Sequence, residues 1–178
     1  RELAGRRFAR GRILDAGCGS GATLLILARR FPGCELIGID LSKPLLALAR
    51  KAAAEAGMEG RATFDLADVQ QIPFPDASFD VVISAYMAHL VDRPVAMLNE
   101  LERVLAPEGT LLMVDLRRSG LGWVEREVRS AFTAAEVRDL LARSKVRAGN
   151  FRAGLLSWSF ESLAEPQRPA LPLTPPAQ

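Results

Sequence analysis

Three aspartates, each at the end of a short apolar run, are the residues best suited to hold a small ligand. Asp15 precedes a glycine turn, Asp40 ends the second run, and Asp68 follows the third. A carboxylate can attract a cation, accept hydrogen bonds from both hydroxyls of a ribose, or accept one from an exocyclic amine. Each aspartate also has a simpler alternative, which is to bond nearby backbone amides or to lie solvated at a strand end.

The glycine turn lies in residues 13–21, which read I-L-D-A-G-C-G-S-G. Glycine permits positive φ angles and lets backbone amides approach a ligand closely. The spacing G-x-G-x-G differs from the G-x-G-x-x-G of dinucleotide-binding turns, and Asp15 would repel a pyrophosphate. The turn therefore favours a positively charged, amino acid-like ligand over a dinucleotide.

The elements that must position these residues are short apolar runs that alternate with longer helical patterns, as in βα units on a parallel sheet. The runs are continuous, as expected for strands buried on both faces. Predicted strands are 12–16, 36–40, 62–66, 81–84 and 110–116, and weaker runs at 146–151 and 155–160 predict an antiparallel edge hairpin. The predicted fold is α/β: a single three-layer, doubly wound, Rossmann-like domain over 1–163 with a seven-stranded, mostly parallel sheet.

Three helices have recognisable ends, because capping residues flank their apolar patterns. Their predicted limits and caps are 43–56 with Ser42 and Gly57, 94–105 with Asp92, and a helix to about 144 opened by the capping box of Thr133 and Glu136. Residues 164–178 hold five of the eleven prolines and predict an extended or disordered tail.

Composition excludes several classes of protein. With 178 residues, 49% hydrophobic and 25% charged, the chain is an ordinary globular domain. No apolar stretch approaches the ~18 residues of a membrane span, and no signal-peptide pattern follows the first arginines. Cys18 and Cys34 are too few for a disulfide scaffold or a four-cysteine zinc site, so no metal is expected and a reducing cytoplasm is the default.

Further along the chain, the same motifs occur in the order that a known family shows. Residues 13–21, 36–40, 67–80, 103–109 and 132–144 resemble successive motifs of class I S-adenosylmethionine-dependent methyltransferases. The resemblance is to their small-molecule branch, which includes the ubiquinone/menaquinone C-methyltransferases. It implies S-adenosyl-L-methionine as cofactor and methyl transfer by in-line displacement to a small-molecule acceptor at oxygen, nitrogen or carbon.

The resemblance also implies a role for eight residues. Asp15, Gly17 and Gly19 would hold the methionine end of the cofactor, Asp40 its ribose, Leu41 one face of adenine, Asp68 and the Val69 amide the adenine edge, and Ser84 the methionine moiety through its backbone.

Candidates for catalysis follow the fourth strand. His89, the sole histidine, could act as a base for an acceptor that arrives protonated, or could stabilise its loop. Tyr86 could line the substrate pocket or pack at its edge. Asp115 closes the fifth strand, where solvation is the simpler expectation.

Only about a dozen residues precede the first strand, so the helices that usually cap this family's substrate are short or missing. After the fifth strand only 119–131, with Trp123, could form a lid. A truncated start, or a homodimer or partner chain that completes the cap, is therefore expected. Two alternatives stay open. One is a non-catalytic cofactor-binding subunit. The other is a methyltransferase acting on RNA or protein: the net basic residues 1–12 and 117–152, which flank the net acidic residues 13–116, permit it, although nucleic acid has little support.

Overall fold

The computed structural model describes residues 10–118 and 130–163. These residues form a seven-stranded sheet with helices on both faces. The strands are β1 Gly11–Ala16, β2 Cys34–Asp40, β3 Ala62–Leu66, β4 Phe79–Ala85, β5 Leu105–Leu116, β6 Gly149–Ala153 and β7 Ser157–Ser162. Their order across the sheet is β3-β2-β1-β4-β5-β7-β6. β1 to β5 are parallel, while β7 runs antiparallel to both β5 and β6. The predicted fold class is confirmed.

The four described helices of more than one turn are α1 Ala22–Arg30, α2 Lys43–Glu55, α3 Pro94–Val104 and α4 Ala134–Arg143. Ser42 caps α2 by accepting a hydrogen bond from the Leu45 amide, and Gly57 follows its end with a φ of 66°. The capping box of Thr133 and Glu136 opens α4. These three caps are confirmed.

The predicted cap of α3 is wrong. Its N-cap residue is Arg93 rather than Asp92, and no side chain caps this end. Pro94 occupies the first turn, where its missing N–H leaves one donor fewer to satisfy. The Arg93 amide instead donates to Oε1 of Gln70 at 2.9 Å, so a loop outside the helix supplies the contact.

The two faces of the sheet carry separate cores, because successive side chains of a strand point in opposite directions. Ile13 of β1 packs with residues of α1 and α2, whereas Leu14 packs with residues of α3 and α4. Burial on both faces explains why the strand segments are continuously apolar rather than alternating.

The strand order reverses between β1 and β4, from which the chain proceeds to opposite edges of the sheet. Open α/β sheets bind ligands outside the carboxyl ends of the strands at such a point. The topology therefore directs attention to the segments that follow β1, β2, β3 and β4.

Some predictions concern residues outside the described ranges. The proline-rich tail 164–178, Trp123 and most of the possible lid belong to this group. Within the described ranges, no helix is both long and apolar enough to cross a membrane.

Candidate functional site

The glycine turn after β1 has the backbone that its sequence predicts. Gly17, Gly19 and Gly21 have φ angles of 85°, 52° and 78°, in the left-handed region that favours glycine. The amides of Gly17 and Cys18 donate to the Ile39 carbonyl at 2.8 and 3.0 Å, which fixes the turn to β2. A Cβ at Gly19 would meet no atom within 4 Å, so the turn has open space beside it for a ligand.

Asp40 links the end of β2 to the glycine turn and to α2. Its Oδ2 accepts from the Gly19 amide at 2.9 Å, and its Oδ1 accepts from the Ser42 amide at 2.8 Å. A carboxylate has about four lone-pair positions, so two remain for other donors. The fixed carboxylate can therefore still accept hydrogen bonds from a pair of neighbouring hydroxyls.

A cavity of about 220 Å³ lies next to Asp40, at the carboxyl ends of β2 and β3. Four of the residues predicted to bind the cofactor line it together: Asp40, Leu41, Asp68 and Val69. The remaining lining residues are Ala67, Gln70, Met87, Leu90, Val91 and Asp92. The cavity therefore combines apolar walls with carboxylates, a combination suited to a flat, amino-substituted ring attached to a sugar.

Asp68 and Leu41 contribute to this cavity in different ways. Oδ1 of Asp68 accepts from the Gln70 amide at 2.8 Å, which orients the carboxylate. Leu41 is 64% exposed, so its apolar side chain is available to pack against a flat ring in the cavity.

Asp15 is a carboxylate that the fold buries at the end of β1, where it is 1% exposed. In the register of the sheet it lies between Gly38 of β2 and Ile83 of β4. Burial, and then the negative charge of Asp40, raise its pKa from an ordinary value of 3.8 to about 7. Across residues 10–118 and 130–163, no hydrogen bond reaches this carboxylate. A bound cation would offset both effects, so the site fits a positively charged ligand.

Ser84 and Tyr86 lie at the end of β4, outside the lining of the cavity. Ser84 is buried and pairs with Met113 of β5. Tyr86 has a φ of 58°, its amide donates to the Val114 carbonyl at 2.8 Å, and its side chain is half exposed. The turn at Tyr86 leads the chain into the segment that contains Met87 and His89.

His89 and Asp115 form a buried pair at the carboxyl ends of β4 and β5. His89 Nδ1 lies 2.5 Å from Asp115 Oδ1, and the two side chains are 4% and 2% exposed. The expected solvation of Asp115 is wrong, because its strand pairs with β7 and the opposite residue, Trp158, is buried. The carboxylate can only accept, which assigns the proton of a neutral imidazole to Nδ1. Nε2 is then the basic nitrogen.

Sequence reasoning gave no role to two residues of this region, Gln70 and Met87, and it expected Asp115 to be solvated rather than paired with His89. Gln70 joins Asp68 to the Arg93 amide. Met87 packs against the glycine turn so closely that a Cβ at Gly17 would lie 2.1 Å from its Cγ. Their positions within a few residues of the carboxyl ends of β3, β4 and β5 were the available signal, since these strand ends meet at one edge.

Comparison with known proteins adds independent observations. A family described as methyltransferase domain matches residues 14–113. A demethylmenaquinone methyltransferase of Thermus thermophilus is 44% identical over 105 residues, which is 58% of this chain and 46% of that protein. Methyltransferase GfsG of Streptomyces halstedii is 35% identical over 169 residues, which is 93% of this chain and 60% of that protein.

A solved structure supports the fold. The crystal structure of a SAM-dependent methyltransferase from Aquifex aeolicus superposes with a TM-score of 0.75 at 21% identity, covering 86% of this chain and 82% of that one. The chain spans about half the length of the Thermus protein and 60% of GfsG.

Proposed function

Since the chain belongs to the methyltransferase domain family, whose class I members use S-adenosylmethionine, we propose that it transfers the methyl group of this cofactor to a small organic acceptor. The observation that carries the proposal is the cavity beside the glycine turn, which Asp40, Leu41, Asp68 and Val69 line together. The names of the curated relatives, which include a demethylmenaquinone methyltransferase, favour a small molecule such as a quinone precursor as acceptor.

The residues present fit the parts of this cofactor one by one. Asp15 would attract the ammonium group of its methionine end, next to the amides of Gly17 and Gly19. The two free lone-pair positions of Asp40 would accept the ribose hydroxyls, and Asp68 would accept from the adenine amine while the Val69 amide donates to the ring. Leu41 would cover one face of adenine, and the backbone of Ser84 would contact the methionine moiety.

When bound, S-adenosylmethionine supplies an activated methyl group that a nucleophile attacks in line. The protein's contribution is to orient the acceptor, to exclude water and to remove a proton from a nucleophile that arrives protonated. In this proposal Nε2 of His89 is the base, and Asp115 is a positioning residue that fixes the tautomer through Nδ1. Tyr86 would lie at the rim of the acceptor site. The two cysteines are free thiols, which supports a cytoplasmic location.

The direct test of the cofactor site is calorimetric titration with S-adenosylmethionine and its demethylated product. Asp40→Ala should weaken the binding of both ligands by ~1–3 kcal/mol, the size of lost hydrogen bonds to a charged group. Asp65→Ala is the matched control, because Asp65 is an exposed aspartate of β3 outside the cavity. Undiminished affinity in the Asp40 variant refutes the ribose assignment.

A second measurement separates an enzyme from a cofactor-binding subunit. Labelled cofactor incubated with the protein and a small-molecule metabolite extract should yield labelled product, and the His89→Gln variant should yield far less. Cofactor binding without any labelled product from such extracts would favour a binding subunit instead.

A further inference from the structure

We propose that Arg103 and Glu100 of α3 position the wall of the cavity that carries Asp68, and thereby set the selectivity of the site for an amino-substituted purine. The inference rests on the proposed placement of the cofactor. The wall belongs to residues 68–77, here called the 68–77 segment, which follow β3 and contain neither a helix nor a strand.

The guanidinium of Arg103 has an acceptor for each of its five N–H groups. Nε and Nη2 donate to the two oxygens of Glu100, both at 2.8 Å. Nη2 also donates to the Ile72 carbonyl, and Nη1 donates to the Phe74 carbonyl and to Oδ1 of Asp76, each at 2.8 Å. Lysine could not reproduce this pattern, because it has three donors on a single nitrogen.

Ile72 is the point of the segment that the two side chains hold most firmly. Its amide donates to Oε2 of Glu100 at 2.8 Å, while its carbonyl accepts from Arg103. Its side chain is buried in the core below α3. The hydrogen bond from Arg103 is the largest cause of the lowered pKa of Glu100, so this carboxylate stays ionised as an acceptor.

Both ends of the 68–77 segment are also bonded to α3 or to Arg93, the residue before it. Gln70 accepts from the Arg93 amide at 2.9 Å, and its own amide donates to Asp68 at 2.8 Å. The Ala77 amide donates to the Arg103 carbonyl at 2.9 Å, which closes the segment. The Ala67 amide, just before the segment, donates to the Asp40 carbonyl at 3.2 Å and ties this point of the chain to β2. Beyond it no strand pairing holds the segment, so the contacts with α3 complete the placement of the wall that carries Asp68.

The test compares two ligands that differ only in the purine: S-adenosylhomocysteine and S-inosylhomocysteine. In the second ligand a carbonyl oxygen replaces the amine, so a correctly placed Asp68 disfavours it. We expect the wild-type protein to prefer the adenosyl ligand in calorimetric titrations, and Arg103→Lys to reduce that preference about tenfold, which is ~1.4 kcal/mol and about one hydrogen bond to a charged group.

Arg147→Lys is the matched control. Arg147 also pairs with a carboxylate of α3, Glu102, at 2.7 Å, and it also donates to the backbone carbonyls of Ala106 and Pro107. Among the described residues, none of its hydrogen bonds reaches the 68–77 segment. It should lower stability without changing the preference for adenosyl over inosyl ligand. Glu100→Gln provides the same comparison if Arg103→Lys does not fold.

The outcomes separate this inference from the proposed function. If Arg103→Lys weakens both ligands equally, Arg103 is a structural residue and the inference is overturned. If the wild-type protein binds both ligands equally, the assignment of Asp68 and the inference both fail. If it binds neither ligand, the proposed cofactor placement itself is overturned.

Discussion

Replacing the buried carboxylate Asp15 by asparagine should stabilise the ligand-free protein at neutral and higher pH while abolishing its affinity for the cofactor. In the wild-type protein, burial and the charge of Asp40 raise the pKa of Asp15 from 3.8 to about 7. The folded protein therefore holds this proton more tightly than the unfolded chain does. Stability then falls as the pH rises from about 4 to about 7 and is level above that range.

The magnitude follows from the two pKa values. Their difference lowers the free energy of unfolding by about 4 kcal/mol above neutral pH, because each pKa unit corresponds to about 1.4 kcal/mol. About 3 kcal/mol of this loss of stability develops between about pH 5 and about pH 8. Asparagine does not titrate, so this pH-dependent part is absent from Asp15→Asn. The constant cost of burying an amide cancels when the two pH values are compared.

Urea unfolding of the two proteins at about pH 5 and about pH 8 measures this effect. The advantage of Asp15→Asn over wild type should grow by about 3 kcal/mol between the two pH values. Asp65→Asn, at an exposed position of β3, should show no such growth. A stability difference between Asp15→Asn and wild type that is the same at both pH values would refute the ionisation argument.

Three further perturbations test other parts of the structure. Asp115→Asn and His89→Gln should each lower kcat by roughly 10²–10⁴-fold while the calorimetric affinity for S-adenosylhomocysteine stays unchanged. A loss of affinity as large as the loss of kcat would contradict a role of the pair in proton transfer. Gly17→Ala should lower the stability measured by urea unfolding by more than Gly19→Ala does. At both positions the positive φ angle costs alanine ~1–2 kcal/mol, but only at Gly17 does the new Cβ collide with a side chain. Thr133→Ala should cost ~1 kcal/mol of stability in the same assay by removing the cap of α4, and an unchanged unfolding midpoint would contradict the capping box.

The fold, and the grouping of Asp40 and Asp68 at one cavity, were predictable because they depend on local sequence. A continuous apolar run implies a strand buried on both faces, and glycines between a strand and a helix imply a tight turn. Asp40 and Asp68 were predictable as neighbours because both follow parallel strands, whose carboxyl ends meet at one edge. The capping box at Thr133 is a contact over three residues, so its pattern is visible in the sequence.

The contacts that sequence reasoning missed depend on packing between distant segments. Asp115 lies 26 residues from His89, and its burial is a consequence of β7 pairing beside it. Asp92 has the right side chain to cap α3, but the Arg93 amide bonds Gln70 instead, 23 residues away. No local pattern encodes such pairs, since they form only when the sheet and its loops are assembled.

The double hydrogen bond of Asp40 has a consequence for how a ligand arrives. Because the carboxylate already joins the Gly19 and Ser42 amides, the turn and the start of α2 are ordered before binding. Association then requires little loss of conformational entropy from the chain. Those two amides should exchange slowly with deuterium in the free protein, and cofactor binding should slow them little further. The glycine turn and the start of α2 are therefore preorganised, so affinity depends on the contacts that the ligand makes and not on folding of the turn around it.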